Sequence, residues 1–267
     1  MTDASRPLIV KIGGTVAADS ECTARLIEEV AAVGRPAILV HGGGKAVSSL
    51  STTLGMAPQF RDGIRITTPA EMEVVDMVLA GAVNTELVRL SLRHGLSALG
   101  LTGADGGLLT GRLLLPEDSG VTNTRTARPH RVDPTVLQVA LAAGYLPIVA
   151  TVGTGEDGEA VNINADEAAQ AIAEALEGAT LCYLSDAPGV LDDRGAVIRQ
   201  IDPATAESLI SSDTVRDGMA AKLRSCANAV TSGVQEVMIG QYVNRGDLAR
   251  VISGESGTTI HAVRETG

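Results

Sequence analysis

Six short apolar runs set the frame of this chain: LIVKI (8–12), AILV (37–40), SALGL (97–101), LPIVAT (146–151), TLCYLS (180–185) and EVMIG (236–240). Each is too short for a buried helix, and most alternate with longer stretches of helical spacing. The runs are nearly continuous in apolar residues rather than alternating with polar ones, which is the pattern of strands covered on both faces. Strand–helix–strand order repeated this often predicts an α/β fold, a three-layer sandwich with a mainly parallel central sheet. No interdomain linker interrupts the 267 residues, so one domain over 1–267 is expected.

The intervening segments carry end signals of their own. Thr68-Pro69-Ala70-Glu71 reads as a capping box with Pro at the first helical position. It opens a helix in which Val75, Leu79, Val83 and Leu87 recur at four-residue steps. Asp133-Pro134 starts another helix that Gly144 ends, and Asp166 through Leu176 is a third, with Gly178 just beyond. Met219, Leu223, Cys226 and Val230 mark one face of a further helix. Residues 106–132 break the rhythm and read as a β-hairpin or flap, to which Arg112, Arg125, Arg128, His130 and Arg131 give local positive charge.

Composition excludes several classes of function. The chain has no Trp, one Phe and three Tyr, and a net charge of −11. Modules that stack on bases need exposed rings, and phosphate backbones are repelled by such a charge, so no nucleic-acid partner is expected. Cys22, Cys182 and Cys226 are widely separated without a CxxC and read as buried thiols of a reducing, cytoplasmic setting. No run of 18 apolar residues occurs, and MTDASRPLIVKIGG lacks an apolar signal region, so no membrane association is expected.

In a parallel α/β sheet, ligands sit beyond the carboxyl ends of the strands. Two of those ends are glycine-rich: Lys11-Ile12-Gly13-Gly14 and His41-Gly42-Gly43-Gly44-Lys45. The second is not a Walker A loop, because Leu39 stands where its first glycine would be and Ala46 follows Lys45. Taken together, the two form a two-sided cradle whose backbone N–H groups can approach an anion. Lys11 lies inside a buried strand, where an unpaired ammonium is costly, so it is expected to face a phosphate. Arg65, in DGIRIT (62–67), offers a guanidinium fork suited to a carboxylate. Asn162, Asn164 and Asp166 alternate at a helix entrance where one cap suffices, leaving two polar side chains to be explained.

KIGG (11–14), HGGG (41–44), DGIRIT (62–67), NINAD (162–166), SDAPGVLDD (185–193) and DGMAAK (217–222), in that order, resemble the amino-acid kinase family, and within it the branch acting on N-acetyl-L-glutamate. The resemblance runs from Lys11 to about Thr259. It implies transfer of the ATP γ-phosphoryl group to the side-chain carboxylate of acetylglutamate, a step of arginine biosynthesis, with Mg2+ carried by the nucleotide and no dedicated metal site. It implies Lys11 and Lys222 as catalytic, organised by Asp166; Gly43, Gly44, Arg65 and Asn162 at the substrate; and Gly13, Gly14, Ser185, Asp186, Gly189, Gly218 and Met219 at the nucleotide and its phosphates. Residues 1–175 would then hold acetylglutamate and the dimer contact, and 176–267 ATP. Arginine-inhibited members carry an extra N-terminal helix, and only ten residues precede Lys11. An arginine-insensitive homodimer paired through 69–93 is therefore expected. The alternatives are a kinase for aminoadipate on a carrier protein, which the flap arginines would suit, and a non-catalytic amino-acid sensor.

Overall fold

The computed structural model describes residues 6–13, 16, 19–61, 63–119 and 122–262. In chain order the strands are β1 (Leu8–Ile12), β2 (Ala37–His41), β3 (Gln59–Arg61), β4 (Ile64–Ile66), β5 (Ala98–Thr102), β6 (Leu109–Leu113), β7 (Thr126–Val132), β8 (Leu146–Ala150), β9 (Val152–Gly155), β10 (Ala160–Ile163), β11 (Thr180–Ser185), β12 (Gln200–Ile201), β13 (Glu236–Gln241) and β14 (Thr258–His261). Eight of the described strands form one sheet in the order β12-β14-β13-β11-β1-β2-β8-β5. Every pairing in it is parallel except β13 with β14.

Helices cover both faces, which gives the three-layer sandwich the apolar runs predict. Strand periodicity sorts β1 cleanly. Leu8, Val10 and Ile12 join a core with Leu26 and Ile27 of α1 (Ser20–Ala32), while Ile9 faces the opposite core. That second core is built with Ala169 and Ile172 of α6 (Ala165–Ala175) and with Leu223 and Cys226 of α8 (Asp217–Thr231). Lys11 shares the parity of Ile9, so its side chain leaves the sheet on the side of α6 and α8. The remaining described helices used below are α2 (Gly44–Thr53), α3 (Pro69–Val75), α4 (Asn84–Arg93), α5 (Thr135–Ala142), α7 (Pro203–Ser211) and α9 (Asp247–Ile252).

The Thr68–Glu71 capping box forms as read, with Glu71 N–H on the Thr68 hydroxyl and Thr68 N–H on the Glu71 carboxylate. Between α3 and α4 the chain winds as a π-helix over Asp76–Val83. Apolar residues four apart drift round an α-helix by about 40° per step, since its turn takes 3.6 residues. The wider π turn absorbs that drift and keeps Leu79 and Val83 together against Gly43.

The flap is a hairpin of β6 and β7, and it closes with β9 and β10 into a small four-stranded ring. β3, β4, β9, β10, β12 and β14 are additions to the six runs. All six are short, at two to four residues, and their pairing supplies what their local pattern lacks. The three cysteines are buried and free.

Candidate active site

Three charged side chains far apart in sequence meet beyond the end of β1. Lys11 Nζ lies 2.6 Å from Asp166 Oδ1, and Lys222 Nζ lies 3.0 Å from Asp166 Oδ2. Each element contributes by its own logic. β1 delivers Lys11 through its alternation. Asn164 caps α6 by accepting from the Asp166 and Glu167 N–H groups, which fixes Asp166 in the first turn. Lys222 stands one turn into α8. Burial alone would raise the Asp166 carboxyl, but the flanking Lys11 and Lys222 ammonium groups outweigh it and hold the carboxyl below its usual value. One carboxylate between two ammonium groups leaves an excess of positive charge at this point.

A second cationic centre lies on the other side of the glycine loop. Arg65, on β4, is 7% exposed. Its Nη2 donates to the Gly44 carbonyl at 3.0 Å and to the Ser48 hydroxyl, and its guanidinium stacks 4.7 Å from the Phe60 ring centre. Its nearest carboxylate, Glu71, stays 3.9 Å from Nη1. Arg65 Nη1 and Glu71 Oε1 are both buried and make no hydrogen bond within the described residues; Asp166 Oδ1 is likewise buried and is met by the Lys11 ammonium at ion-pair distance alone. Burial pushes the guanidinium down from its ordinary value, with Glu71 opposing. A cleft of about 200 Å³ is lined by Lys11, Gly43, Gly44, Arg65, Asn162 and Ala165, so it touches both centres. Asn162, which also lines the cleft, donates from its side-chain amide to Thr67 Oγ1 at 2.9 Å.

The glycine loop rests on a polar support that motif reading overlooks. His41 is fully buried and donates from Nδ1 to the Gly42 carbonyl at 2.8 Å, while its Nε2 accepts from Asn84 at 3.0 Å. Burial lowers its pKa to about 4, so it is the neutral tautomer that makes both bonds. Asn84 also donates to the Ile148 carbonyl at 2.8 Å and so ties α4 to β8. At Gly43 an added Cβ would stand 2.6 Å from Leu79 Cδ2, so a side chain here would have to displace Leu79.

The remaining residues read from sequence fall as follows. Gly13 directly follows β1, but its N–H is committed to the Leu184 carbonyl at 3.1 Å, so the donor expected there is already spent. Gly14 lies outside the described residues. Ser185 ends β11 and its hydroxyl accepts from the Ala187 N–H at 3.2 Å, while the Asp186 carbonyl accepts from Gln241 at 3.0 Å. Gly189 has φ +147°, and a Cβ there would meet Thr258 Oγ1 at 2.8 Å, so it serves the packing of this loop onto β14. Gly218 and Met219 lie in the first turn of α8. The helices α2 and α8 begin at Gly43 and Arg216 without a side-chain cap, which leaves their first N–H groups to other acceptors. Two of the four flap arginines are compensated: Arg125 is held by Asp157 at 2.7 and 3.1 Å, and Arg112 by Glu156 at 3.2 Å.

Comparison with known proteins agrees with this geometry. Residues 6–241 match the amino acid kinase family. The chain is 39% identical over 251 residues to an acetylglutamate kinase of Methanopyrus kandleri, covering 91% of this chain and 99% of that protein. It is 37% identical over 252 residues to an acetylglutamate kinase of Novosphingobium aromaticivorans, covering 88% and 83%. Among solved structures, smu.665 from Streptococcus mutans UA159 superposes with a TM-score of 0.78 at 26% identity, covering 96% of this chain and 98% of that one.

Proposed function

The chain belongs to the amino-acid kinase family, and from that membership we propose that it works as an acetylglutamate kinase. In this reaction one carboxylate oxygen of N-acetyl-L-glutamate forms a bond to the γ-phosphorus of ATP. The bond from that phosphorus to the β–γ bridging oxygen breaks, and its electron pair stays on ADP. The products are an acyl phosphate and ADP, and no proton moves. An ordinary carboxylate, with a pKa of about 4.3, is already ionised at neutral pH and needs no general base. What remains is positioning and compensation of the charge spread over the phosphoryl oxygens.

The observation that carries this reading is the Lys11–Asp166–Lys222 trio, which concentrates cationic charge in an acidic protein where a phosphoryl group can be met from two sides. Asp166 holds both ammonium groups in place. Arg65, with its unpaired Nη1, takes the α-carboxylate of acetylglutamate, and Gly43, Gly44 and Asn162 complete that side of the cleft. The nucleotide lies over 185–190 and the start of α8, so that residues 1–175 hold the acceptor and 176–267 the donor. Mg2+ would arrive with ATP, bound to its phosphates. When bound it neutralises charge on the β- and γ-phosphates.

Two further points belong to the same proposal. The chain pairs as a homodimer through 69–93, where Met77 and Leu92 are 56% and 55% exposed, and light scattering on the purified chain reads this directly. It works in the cytoplasm; no described helix is long and apolar enough to cross a membrane. ADP release measured with acetylglutamate, glutamate and N-acetyl-aminoadipate as acceptors tests the activity. Turnover with the first alone is expected, and no ADP release with it overturns the reading.

A further inference from the structure

Tyr183 is a large polar-tipped side chain in a core otherwise built of aliphatic residues, 2% exposed and placed in the middle of β11. Its parallel neighbour in register on β1 is Lys11, so the two side chains leave the sheet on the same face. Its hydroxyl donates to the backbone carbonyl of Asp166 at 3.1 Å. Its ring lies under the Lys222 ammonium, 5.0 Å from nitrogen to ring centre. Burial pushes the phenol well above its ordinary pKa, so the hydroxyl remains a donor at any working pH. One side chain therefore touches two members of the charged trio and flanks the third.

We propose that Tyr183 is a positioning residue for phosphoryl transfer: its ring seats Lys222 and its hydroxyl anchors the backbone of Asp166, fixing the gap between the two catalytic amines. This rests on the kinase reading above. Packing alone asks only for volume here, which Leu or Met would supply. The two polar contacts are what an aliphatic residue could not make. An ammonium over an aromatic face is held by the ring quadrupole, and the hold strengthens where water is largely excluded. The Asp166 carbonyl lies in the first turn of α6 and can accept from Tyr183 beside its own helical bond, which pins the turn that aims the carboxylate. Small displacements matter in such a site because a transferring group must meet acceptor and donor nearly in line.

The test separates ring from hydroxyl and both from simple packing. Tyr183→Phe keeps the ring and should lower kcat about fivefold, the value of one net hydrogen bond. Tyr183→Met keeps much of the volume and should lower it about 30-fold as both contacts go. The KM for acetylglutamate, which depends on Arg65, should stay within about twofold in each variant, a split that general loss of packing would not give. A spectroscopic readout stands apart from activity. The chain has three lysines, Lys11, Lys45 and Lys222, so ¹³Cε labelling gives three resolvable signals, with Lys222 assigned by Lys222→Arg. Ring-current shielding should displace the Lys222 methylene signal upfield of that of exposed Lys45. It should stay displaced in Tyr183→Phe and return in Tyr183→Met. If the Met variant fails to fold, the wild-type Lys222 shift and the Phe variant still decide. An undisplaced Lys222 signal, or an active wild type whose folded variants match its kcat within twofold, overturns the positioning role alone. A wild type that releases no ADP with acetylglutamate overturns the kinase reading beneath it, and the role with it.

Discussion

The cleft is bordered by two cationic centres that differ in how complete they are. In the trio, both Asp166 oxygens are engaged by ammonium groups at 2.6 and 3.0 Å. At Arg65 the facing carboxylate stops at 3.9 Å, beyond hydrogen-bond reach. A finished arrangement with surplus positive charge stabilises whatever negative charge develops beside it without reorganising. An unfinished one is completed by a ligand that brings the missing carboxylate, and this gain is made as soon as the ligand binds. The first should therefore govern turnover and the second affinity.

Removing a trio amine is the strongest way to break that division. Lys11→Ala or Lys222→Ala should lower kcat by about 10²–10³, equivalent to roughly 3–4 kcal/mol of barrier, with little change in either KM. Steady-state kinetics in both substrates checks this. A large KM effect at near-normal turnover would place these lysines in ground-state binding and erase the contrast.

The support under the glycine loop comes next, and pH separates it from the trio. His41 has its pKa lowered from 6.5 to about 4, so the unfolded chain binds more protons than the folded one between those values. Its contribution is present above pH 6.5 and is lost as pH falls towards 4, by roughly 3 kcal/mol in all. Asp166 is also depressed, by its two lysines after burial is overcome, but from a lower starting value. Its contribution is present above its usual carboxylate value of about 3.9 and is lost only as pH falls below that. Urea unfolding of the wild type and His41→Gln across pH 7 to 4 should show a loss of stability that is smaller in the variant by the His41 contribution. An equal loss in both would mean that another group buries its proton-binding site in this window.

Truncating Arg65 should act on affinity alone. Arg65→Ala is expected to raise the KM for acetylglutamate about 30-fold, near 2 kcal/mol, while kcat and the KM for ATP stay near wild type. Kinetics indistinguishable from wild type would remove Arg65 from the substrate side. A fall in kcat as deep as that of the lysine variants would merge the two centres into one.

Much of this was legible in residue patterns, and the exceptions share a cause. Five of the six strands announce themselves because each is an apolar run buried on both faces; β5, at the sheet edge, is apolar in sequence but leaves Leu99 exposed, so the burial expected for 97–101 does not hold. The Thr68 capping box and the helix ends at Gly144 and Gly178 are equally local, and both glycines take positive φ in the fold. The trio is different. The cost of burying Lys11 points to a partner, but nothing in the spacing of 11, 166 and 222 says that they meet; family resemblance placed Asp166 and Lys222. Tyr183 and Asn84 escaped notice because their partners are remote side chains and backbone carbonyls, Lys222 and Asp166 for one, His41 and Ile148 for the other. β9 and β10 stayed hidden for a similar reason. Gly153 and Gly155 weaken any strand signal, yet a side chain at Gly153 would collide with the Leu109 carbonyl at 2.7 Å in the closed ring.

The smallest expected effect is the sharpest probe of whether Arg65 is held by its surroundings or by its ligand. Ser48, one turn into α2, accepts from the same Arg65 nitrogen that donates to the Gly44 carbonyl at 3.0 Å. Ser48→Ala deletes one acceptor and leaves the carbonyl and the Phe60 ring in place. The guanidinium should then lean less firmly into the cleft and raise the KM for acetylglutamate about fivefold, close to 1 kcal/mol, with kcat unaltered. Combining Ser48→Ala with Arg65→Ala should add nothing to the KM of the arginine variant, since the Ser48 hydroxyl acts through Arg65. Additive losses would instead mean that Ser48 meets the substrate itself, and the affinity centre would then extend along α2 rather than rest on one guanidinium.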